Sequence, residues 1–174
     1  FKNKSWAIAA EVTIPDNGAN GVLATIGGRF GGWGLMLRNS KPEFHYALSN
    51  QPEHKFRIVS DQPVPAGNHV VRVAFKYDGG GIGKGATAVL FVDGKEVGQG
   101  RIPQTVPIRF SLDETFDIAE DTGTPVVEDY VDQMPCRFTG TLKKFVVILE
   151  PEKLTQKERQ QLHLEEARAS MSAH

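Results

Sequence analysis

The sequence predicts an all-β protein, an antiparallel β-sandwich followed by one C-terminal α-helix. Three observations lead to this fold class. Apolar and polar residues alternate with a period of two through the first 150 residues, Pro, Gly, Asn and Asp interrupt the alternation about every 8 to 12 residues, and no helical periodicity separates the runs. Regularly spaced short strands of this kind are typical of sandwiches, and 174 residues are enough for one such domain and its core.

The first strand shows the clearest alternation, because its apolar residues fall on one face while Glu11 and Thr13 fall on the other. The apolar face comprises Trp6, Ile8, Ala10, Val12 and Ile14. Further strands are predicted at 22–27, 33–38, 43–48, 56–59, 71–77, 87–92, 95–101 and 138–149. The run 145–149 is continuously apolar, which predicts cover on both faces, from the tail helix or from another domain.

The C-terminal segment has a different pattern. Thr155 is placed as an N-cap and Glu158 follows three residues later, the reciprocal capping box that satisfies two backbone amides at a helix start. We therefore predict a helix from about residue 156 to about residue 169. The predicted organisation is a sandwich over 1–150 and a helical tail over 151–174.

The glycine-rich stretch 76–100, "KYDGGGIGKGATAVLFVDGKEVGQG", raises the question of a phosphate-binding loop. Asp78 stands where a Walker loop needs its first glycine, and Gly85 stands where it needs a hydroxyl. The loop also leads into the alternating run "ATAVLFV" instead of a helix, so no helix N-terminus faces a phosphate. Asp93-Gly94 between two strands predicts a type I′ hairpin. We therefore predict strand, glycine-rich connection, strand, tight turn, strand.

Composition narrows the function classes. The chain has 20 Lys+Arg and 21 Asp+Glu, so no net field attracts nucleic acid or an anionic membrane, and neither partner is predicted. The longest apolar runs are about five residues, against ~20 for a spanning helix. Cys136 is the only cysteine, which leaves no internal disulfide and no zinc cluster. The chain begins without Met inside a strand-like pattern, and we expect it to be a piece of a longer protein.

The acidic region 113–132 suggests two kinds of functional site. "ETFDIAE" suggests the paired carboxylates of a sandwich glycosidase, but Glu114, Asp117 and Glu120 are spaced by three, so neighbours in this series do not share a strand face. Calcium is the other candidate, because it takes six to eight oxygen ligands. Its predicted ligands are Asp113, Asp117 and Asp121. The spacing is not that of an EF-hand, and a solvated acidic loop is the favoured alternative.

A candidate ligand-binding group lies in "GGRFGGWG", where glycines allow a sharp turn that exposes Arg29 and Phe30. An aromatic ring beside an arginine could stack on a sugar and bind its acidic group. Trp33 is included in the candidate group, although its alternation with Leu35 and Leu37 favours core packing. The five histidines are dispersed and show no metal-binding spacing, and no nucleophile elbow is present, so no catalytic residue is predicted.

Four blocks of the sequence, taken in order, closely resemble the C-terminal region of large bacterial arylsulfatases. They are "GGRFGGWGLMLRNSKPEFHY", "AGNHVVRVAFKYDGGGIGKGATAVLFVDGKEVGQGRIPQTVP", "DETFDIAEDTGTPVVEDY" and "FTGTLKKFVVIL". The resemblance covers about residues 1–150 and implies a concanavalin A-like, laminin-G-like jelly roll attached to an α/β sulfatase domain. It also implies a periplasmic or secreted location.

The catalytic unit of that family hydrolyses sulfate esters with a formylglycine made in a Cys/Ser-x-Pro-x-Arg motif, helped by calcium. Ser40-Lys41-Pro42 begins such a motif, but Phe44 stands where arginine is required, so no catalytic residue transfers to this chain. We therefore expect a non-catalytic accessory domain whose partner is a sulfatase domain in the same polypeptide. The alternatives are a module that binds sulfated glycans and, less favoured, a sandwich glycosidase.

Overall fold

The computed structural model describes residues 1–110, 115–126, 128, 134, 136–152 and 154–171, with the backbone alone for 169–171. Ten strands and one α-helix are present in these ranges. The strands are β1 Trp6–Ile14, β2 Gly21–Gly28, β3 Gly31–Arg38, β4 Lys41–Ala47, β5 Lys55–Val59, β6 Gly67–Tyr77, β7 Ala86–Val92, β8 Lys95–Ile102, β9 Phe116–Ile118 and β10 Thr141–Leu149. A short 3₁₀ turn, Pro52–His54, precedes β5, and the helix α1 is Gln156–Met171.

Two five-stranded sheets pack face to face, which confirms the predicted all-β sandwich with one C-terminal helix. The first sheet has the order β10-β1-β6-β7-β8 and the second has the order β5-β4-β3-β2-β9. Every paired strand is antiparallel to its neighbour. The sequence neighbours β2, β3, β4 and β5 lie side by side in the second sheet, and its inward face shares one core with the inward face of the first sheet.

The core between the sheets is built around stacked aromatic rings. Trp6 of β1 lies 4.8 Å from the ring of Phe75 at an interplanar angle of 8°, and 4.8 Å from Trp33 of the opposite sheet at 30°. The predicted inward face of β1 is confirmed, since all five of its apolar residues are buried. Large aromatic side chains shared between two sheets contribute much of the buried apolar area that stabilises a sandwich.

Two sequence-based boundaries differ from the structure. The last strand begins at Thr141, because the backbone amides of Phe138 and Thr139 are bonded to the carbonyls of Ala119 and Asn20 in a loop. The helix continues to Met171, two residues beyond the prediction. Its predicted capping box is confirmed, since the Thr155 amide donates to Glu158 at 2.6 Å and the Glu158 amide donates to the Thr155 hydroxyl at 3.3 Å.

The helix packs against one end of the sandwich and leaves β10 uncovered. Leu162 is buried, and Glu166 forms an ion pair with Lys2 at 3.4 Å. Ile148 and Leu149 of β10 are 55% and 52% exposed, so the prediction that 145–149 is covered on both faces by the tail helix is wrong for this chain. Within the described ranges, no α-helix has the length and hydrophobicity of a transmembrane segment.

Candidate functional site

The turn between β2 and β3 presents Arg29 and Phe30 at one end of the sandwich. The turn is tight: a Cβ on Gly27, whose φ is +69°, would lie 2.2 Å from the carbonyl oxygen of Gly31. Only glycine fits there, and the tight turn that it allows contains Arg29 and Phe30. Phe30 is 59% exposed, and the guanidinium carbon of Arg29 lies 5.2 Å from its ring centroid. This is a cation–π pair on the surface.

The charge of Arg29 is only weakly neutralised. Its Nη1 lies 3.5 Å from Glu128 Oε1, and the two side chains are 38% and 59% exposed. An exposed pair of this kind contributes about 0–1 kcal/mol, so an anionic ligand could compete for the guanidinium. Arg29 Nε is buried and has no hydrogen-bond partner among the described residues. The pair can therefore offer a flat apolar ring and a cation to one ligand.

Trp33, the third predicted ligand-binding residue, does not belong to this surface. Its side chain is fully buried and packs against Trp6, Phe44 and Phe116. Side chains alternate between the two faces of β3, and the burial of Trp33 with Leu35 and Leu37 shows that its side chain lies on the inward face. The alternative that the sequence favoured, core packing, is the one that the structure shows.

The acidic residue Asp117 lies on the outward face of β9, and its oxygens are occupied. Its carboxylate accepts hydrogen bonds from the Thr115 hydroxyl and from both the amide and the hydroxyl of Thr122, at 3.1 and 2.9 Å. Burial alone would raise the pKa of Asp117, but these hydrogen bonds outweigh it and lower the pKa below its ordinary value. The carboxylate is ionised and organises its own loop.

The structure describes two of the three predicted calcium ligands, Asp117 and Asp121. Asp121 is buried and accepts from the Gly123 amide at 3.2 Å, while Asp113 lies outside the described residues. No group of three or more His, Cys, Asp or Glu side chains suited to a metal ion occurs among the residues that the structure describes. Calcium binding by Asp113, Asp117 and Asp121 stays a prediction.

The carboxylates suggested for a glycosidase are also engaged elsewhere. Glu120 forms an ion pair with Arg137 at 2.9 Å, Asp117 is bonded to threonines, and Glu114 lies outside the described residues. Paired catalytic carboxylates of a retaining enzyme stand about 5 to 5.5 Å apart around an open cleft. Asp117 and Glu120 instead each bond a neighbouring loop.

The sequence did not reveal a tightly connected polar cluster among the described residues, which lies on the outer face of the second sheet. Glu43 on β4 accepts from His45 Nε2 at 2.8 Å and from Arg57 of β5 through Nε at 3.1 Å and Nη2 at 2.7 Å. Arg38 Nε lies 3.9 Å from the same carboxylate. Glu43 and His45 are only 2% and 1% exposed.

The electrostatics of this cluster keep Glu43 ionised. Burial acts to raise the pKa of Glu43, but hydrogen bonds from His45 and Arg57, together with the charge of Arg38, lower it from 4.5 to about 2. A carboxylate this acidic cannot donate a proton at neutral pH. His45 Nδ1 has no hydrogen-bond partner among the described residues, yet the ring is buried, so no substrate reaches it. The cluster is structural in this geometry.

The alternation in "EFHY" placed Glu43 and His45 opposite the inward residues Phe44 and Tyr46, but gave no sign that this outer face is covered. The cover comes from residues about 80 to 90 positions later: Val126 is fully buried above Gly34, and Cys136 packs on Met36. A local pattern cannot show a contact at that separation in the chain.

Polar backbone groups of the glycine-rich connection 78–85 also form hydrogen bonds within the protein. Tyr77 Oη accepts from the amide of Lys84 at 2.9 Å and donates to the carbonyl of Gly81, and the Gly83 amide donates to Asn3 at 2.9 Å. The connection leads into strand β7, as predicted. Asp93 and Gly94 have φ values of +50° and +81°, as the predicted type I′ hairpin requires.

No protein-family model matches the chain, and no curated protein sequence is similar to it. Solved structures do share its fold. The LG1-3 region of the laminin alpha2 chain has a TM-score of 0.54 at 14% identity over 87% of this chain. The CBM40 of the Ruminococcus gnavus IT-sialidase, bound to alpha2,3 sialyllactose, has a TM-score of 0.54 at 12% identity, covering 94% of this chain and 83% of that chain.

A third similar structure is the receptor binding domain of botulinum neurotoxin C/D mosaic serotype, with a TM-score of 0.53 at 11% identity over 95% of this chain and 36% of that chain. This chain spans 28% of the laminin alpha2 structure and 37% of mouse laminin alpha1 domains LG4-5. Identities this low show the fold alone, a laminin-G-like and concanavalin-like sandwich. They give no support to an association with a sulfatase.

Proposed function

We propose that the chain is a non-catalytic accessory domain that works beside a sulfate-ester hydrolase domain in a longer polypeptide. The observation that carries this proposal is the resemblance of four blocks to the C-terminal region of bacterial arylsulfatases. The blocks are 27–46, 66–107, 113–130 and 138–149. In the structure, the described parts of these blocks supply strands from both sheets, which indicates that the resemblance extends over the sandwich instead of one motif.

The described geometry supports a role without bond-breaking chemistry. Glu43 is buried and held ionised by Arg57, while Asp117 is bonded to Thr115 and Thr122. A general acid or base needs access to substrate and a pKa near the working pH. Neither carboxylate meets both requirements, which supports a role in binding or in positioning another domain.

The test is the activity of the polypeptide that carries this sandwich. The coding sequence preceding residue 1 should encode a Cys/Ser-x-Pro-x-Arg motif, and the longer product should hydrolyse a chromogenic aryl sulfate. Replacing the Cys or Ser of that motif by Ala should abolish turnover. A longer product with no such motif and no sulfate-ester hydrolysis would remove the proposal.

A second function, glycan binding, is favoured by the exposed pair of Arg29 and Phe30 and by the similar sandwich that holds sialyllactose. The ring would stack on a sugar face, and the guanidinium would bind a sulfate or carboxylate in place of Glu128. Sulfated and unsulfated glycan arrays distinguish this function from scaffolding alone. Arg29→Ala should abolish binding while Arg109→Ala, at another exposed arginine, should not; equal losses in both variants would indicate non-specific attraction.

A further inference from the structure

Strand β10 forms one edge of the first sheet. It pairs with β1 on one side, and no other strand among the described residues pairs with its second side. Three consecutive apolar residues near its end are exposed: Val147 by 37%, Ile148 by 55% and Leu149 by 52%. A long apolar edge is a template for pairing with another strand unless charges, bulges or proline interrupt it. Here none of these devices interrupts 145–149.

The pairing with β1 fixes which backbone groups of β10 face outwards. The Glu150 amide donates to the Ser5 carbonyl at 3.0 Å, so Ser5 and Glu150 form a hydrogen-bonded pair. Such pairs alternate with non-hydrogen-bonded pairs along an antiparallel ladder. The backbone amides and carbonyls of Lys144, Val146 and Ile148 therefore face β1. The backbone amides and carbonyls of the alternate residues, Phe145, Val147 and Leu149, face away from the sheet.

The charges that flank this apolar run are opposite in sign. Lys144 precedes it and lies opposite Glu11 of β1, Glu150 follows it, and both are exposed. Because they are six positions apart, both side chains lie on the outer face of the sheet, as Val146 and Ile148 do. The segment has a cation at one end, an anion at the other and apolar residues between.

We propose that β10 pairs antiparallel with β10 of a second copy of this chain, with Val147 opposite Val147. This register joins the outward backbone groups of Phe145, Val147 and Leu149 to the same groups of the other copy. It places Phe145 opposite Leu149, Val146 opposite Ile148, and Lys144 opposite Glu150, each twice by symmetry. The first sheet of one copy and the first sheet of the other then form one continuous sheet, and the exposed apolar residues of both copies become neighbours.

A second copy fits this edge better than an unrelated strand because the segment is complementary to itself. Registers shifted by two residues keep the backbone hydrogen bonds but move Lys144 away from Glu150. The register centred on Val147 pairs Lys144 with Glu150, whereas the register centred on Ile148 places Lys144 opposite Glu152, which already forms an ion pair with Lys4 at 3.8 Å. A two-fold axis through this position gives the isologous interface that is commonest among homodimers. The proposal does not depend on sulfatase association or on glycan binding.

The first test is the mass of the 174-residue chain by analytical ultracentrifugation, from roughly 1 to 200 µM. The expected species at high concentration has twice the monomer mass of 19.1 kDa. Val147→Pro removes an amide that faces the second copy while leaving the hydrogen bonds to β1, and should give a monomer. Val147→Thr keeps the amide and should remain a dimer. A wild type that stays monomeric, or a proline variant that dimerises as the wild type does, overturns the proposal.

A charge exchange tests the register independently of any effect of proline on folding. Lys144→Glu and Glu150→Lys should each weaken dimerisation by roughly tenfold, because like charges then face each other at two symmetric positions. The double variant should restore the wild-type dissociation constant to within about threefold. Lys95→Glu, at the exposed β7–β8 hairpin, should have no effect. Single variants that dimerise normally, or a double variant without recovery, contradict the pairing of Lys144 with Glu150.

Discussion

Arg57 holds Glu43 in a two-point hydrogen bond across the neighbouring strands β4 and β5, with Nε at 3.1 Å and Nη2 at 2.7 Å from the two carboxylate oxygens. His45 supplies a third hydrogen bond from the same strand as Glu43. Removing one partner from a buried charged group costs more than the pair contributes, because the remaining charge stays desolvated. Removing or protonating a member of this cluster should therefore destabilise the folded chain.

The first prediction concerns acid stability. The pKa of Glu43 is about 2 in the folded chain, against its ordinary value of 4.5 in the unfolded chain. The stabilisation that ionised Glu43 contributes is therefore fully present above pH 4.5 and is lost as pH falls towards 2. The shift corresponds to up to about 3 kcal/mol. Glu43→Gln should lower the free energy of unfolding in urea at pH 7 by about 2–3 kcal/mol, and the difference from wild type should shrink between pH 5 and pH 2.

Glu53→Gln is the matched control, because Glu53 is exposed in the Pro52–His54 turn. It should change the free energy of unfolding by less than about 0.5 kcal/mol at either pH. A Glu43→Gln effect that is constant from pH 7 to pH 3 would show that the pKa of Glu43 is not lowered.

The second prediction separates the two aromatic candidates for ligand binding. Trp33 is fully buried between the sheets, so Trp33→Ala should lower the free energy of unfolding by about 3–5 kcal/mol. Phe30 is 59% exposed, and Phe30→Ala should change it by less than about 0.5 kcal/mol. Chemical denaturation measures both. Equal destabilisation by the two variants would contradict their different placement.

The third prediction concerns the hairpin between β7 and β8. Gly94 has a φ of +81° and an added Cβ would meet no atom within 4 Å, so a substitution there is opposed by backbone conformation alone. Gly94→Ala should lower the free energy of unfolding by about 1 kcal/mol. Gly94→Asn should cost less, because asparagine tolerates the left-handed conformation better. Thermal unfolding ranks the two, and an alanine variant as stable as wild type would refute the assigned turn.

The fourth prediction concerns calcium. The carboxylate of Asp117 already accepts three hydrogen bonds, which leave little of its acceptor capacity for a calcium ion. The melting temperature should therefore be the same in millimolar calcium and in a chelator. A calcium-dependent rise that Asp117→Asn removes, and that Asp16→Asn at an exposed turn leaves intact, would instead establish the predicted metal site.

The features that depend on local pattern were predictable from the sequence. The alternation of Trp6, Ile8 and Ala10 identified the inward face of β1, Asp93-Gly94 identified the hairpin, and Thr155 with Glu158 identified the helix start. Each depends on residues within a few positions of one another. Period, turn chemistry and capping all act at that range.

The features that depend on distant segments were not predictable. Glu43 and His45 are buried by chain that follows far later, and the alternation within β4 carries no information about that cover. The prediction for Leu149 was wrong in the opposite sense. The continuous apolar run 145–149 predicted cover on both faces, but the tail helix packs elsewhere and leaves Leu149 exposed. Which surface a loop or a tail helix covers is decided by tertiary packing, and no periodicity records it.

We propose that this sandwich does no chemistry of its own, and turnover of a chromogenic aryl sulfate by the purified 174-residue chain tests this proposal most directly. The account predicts a rate equal to that of buffer alone, under the same assay conditions that test the longer polypeptide. Hydrolysis by the purified chain that is lost in Glu43→Gln or Asp117→Asn, with the fold intact, would contradict the claim and place a catalytic carboxylate in this domain.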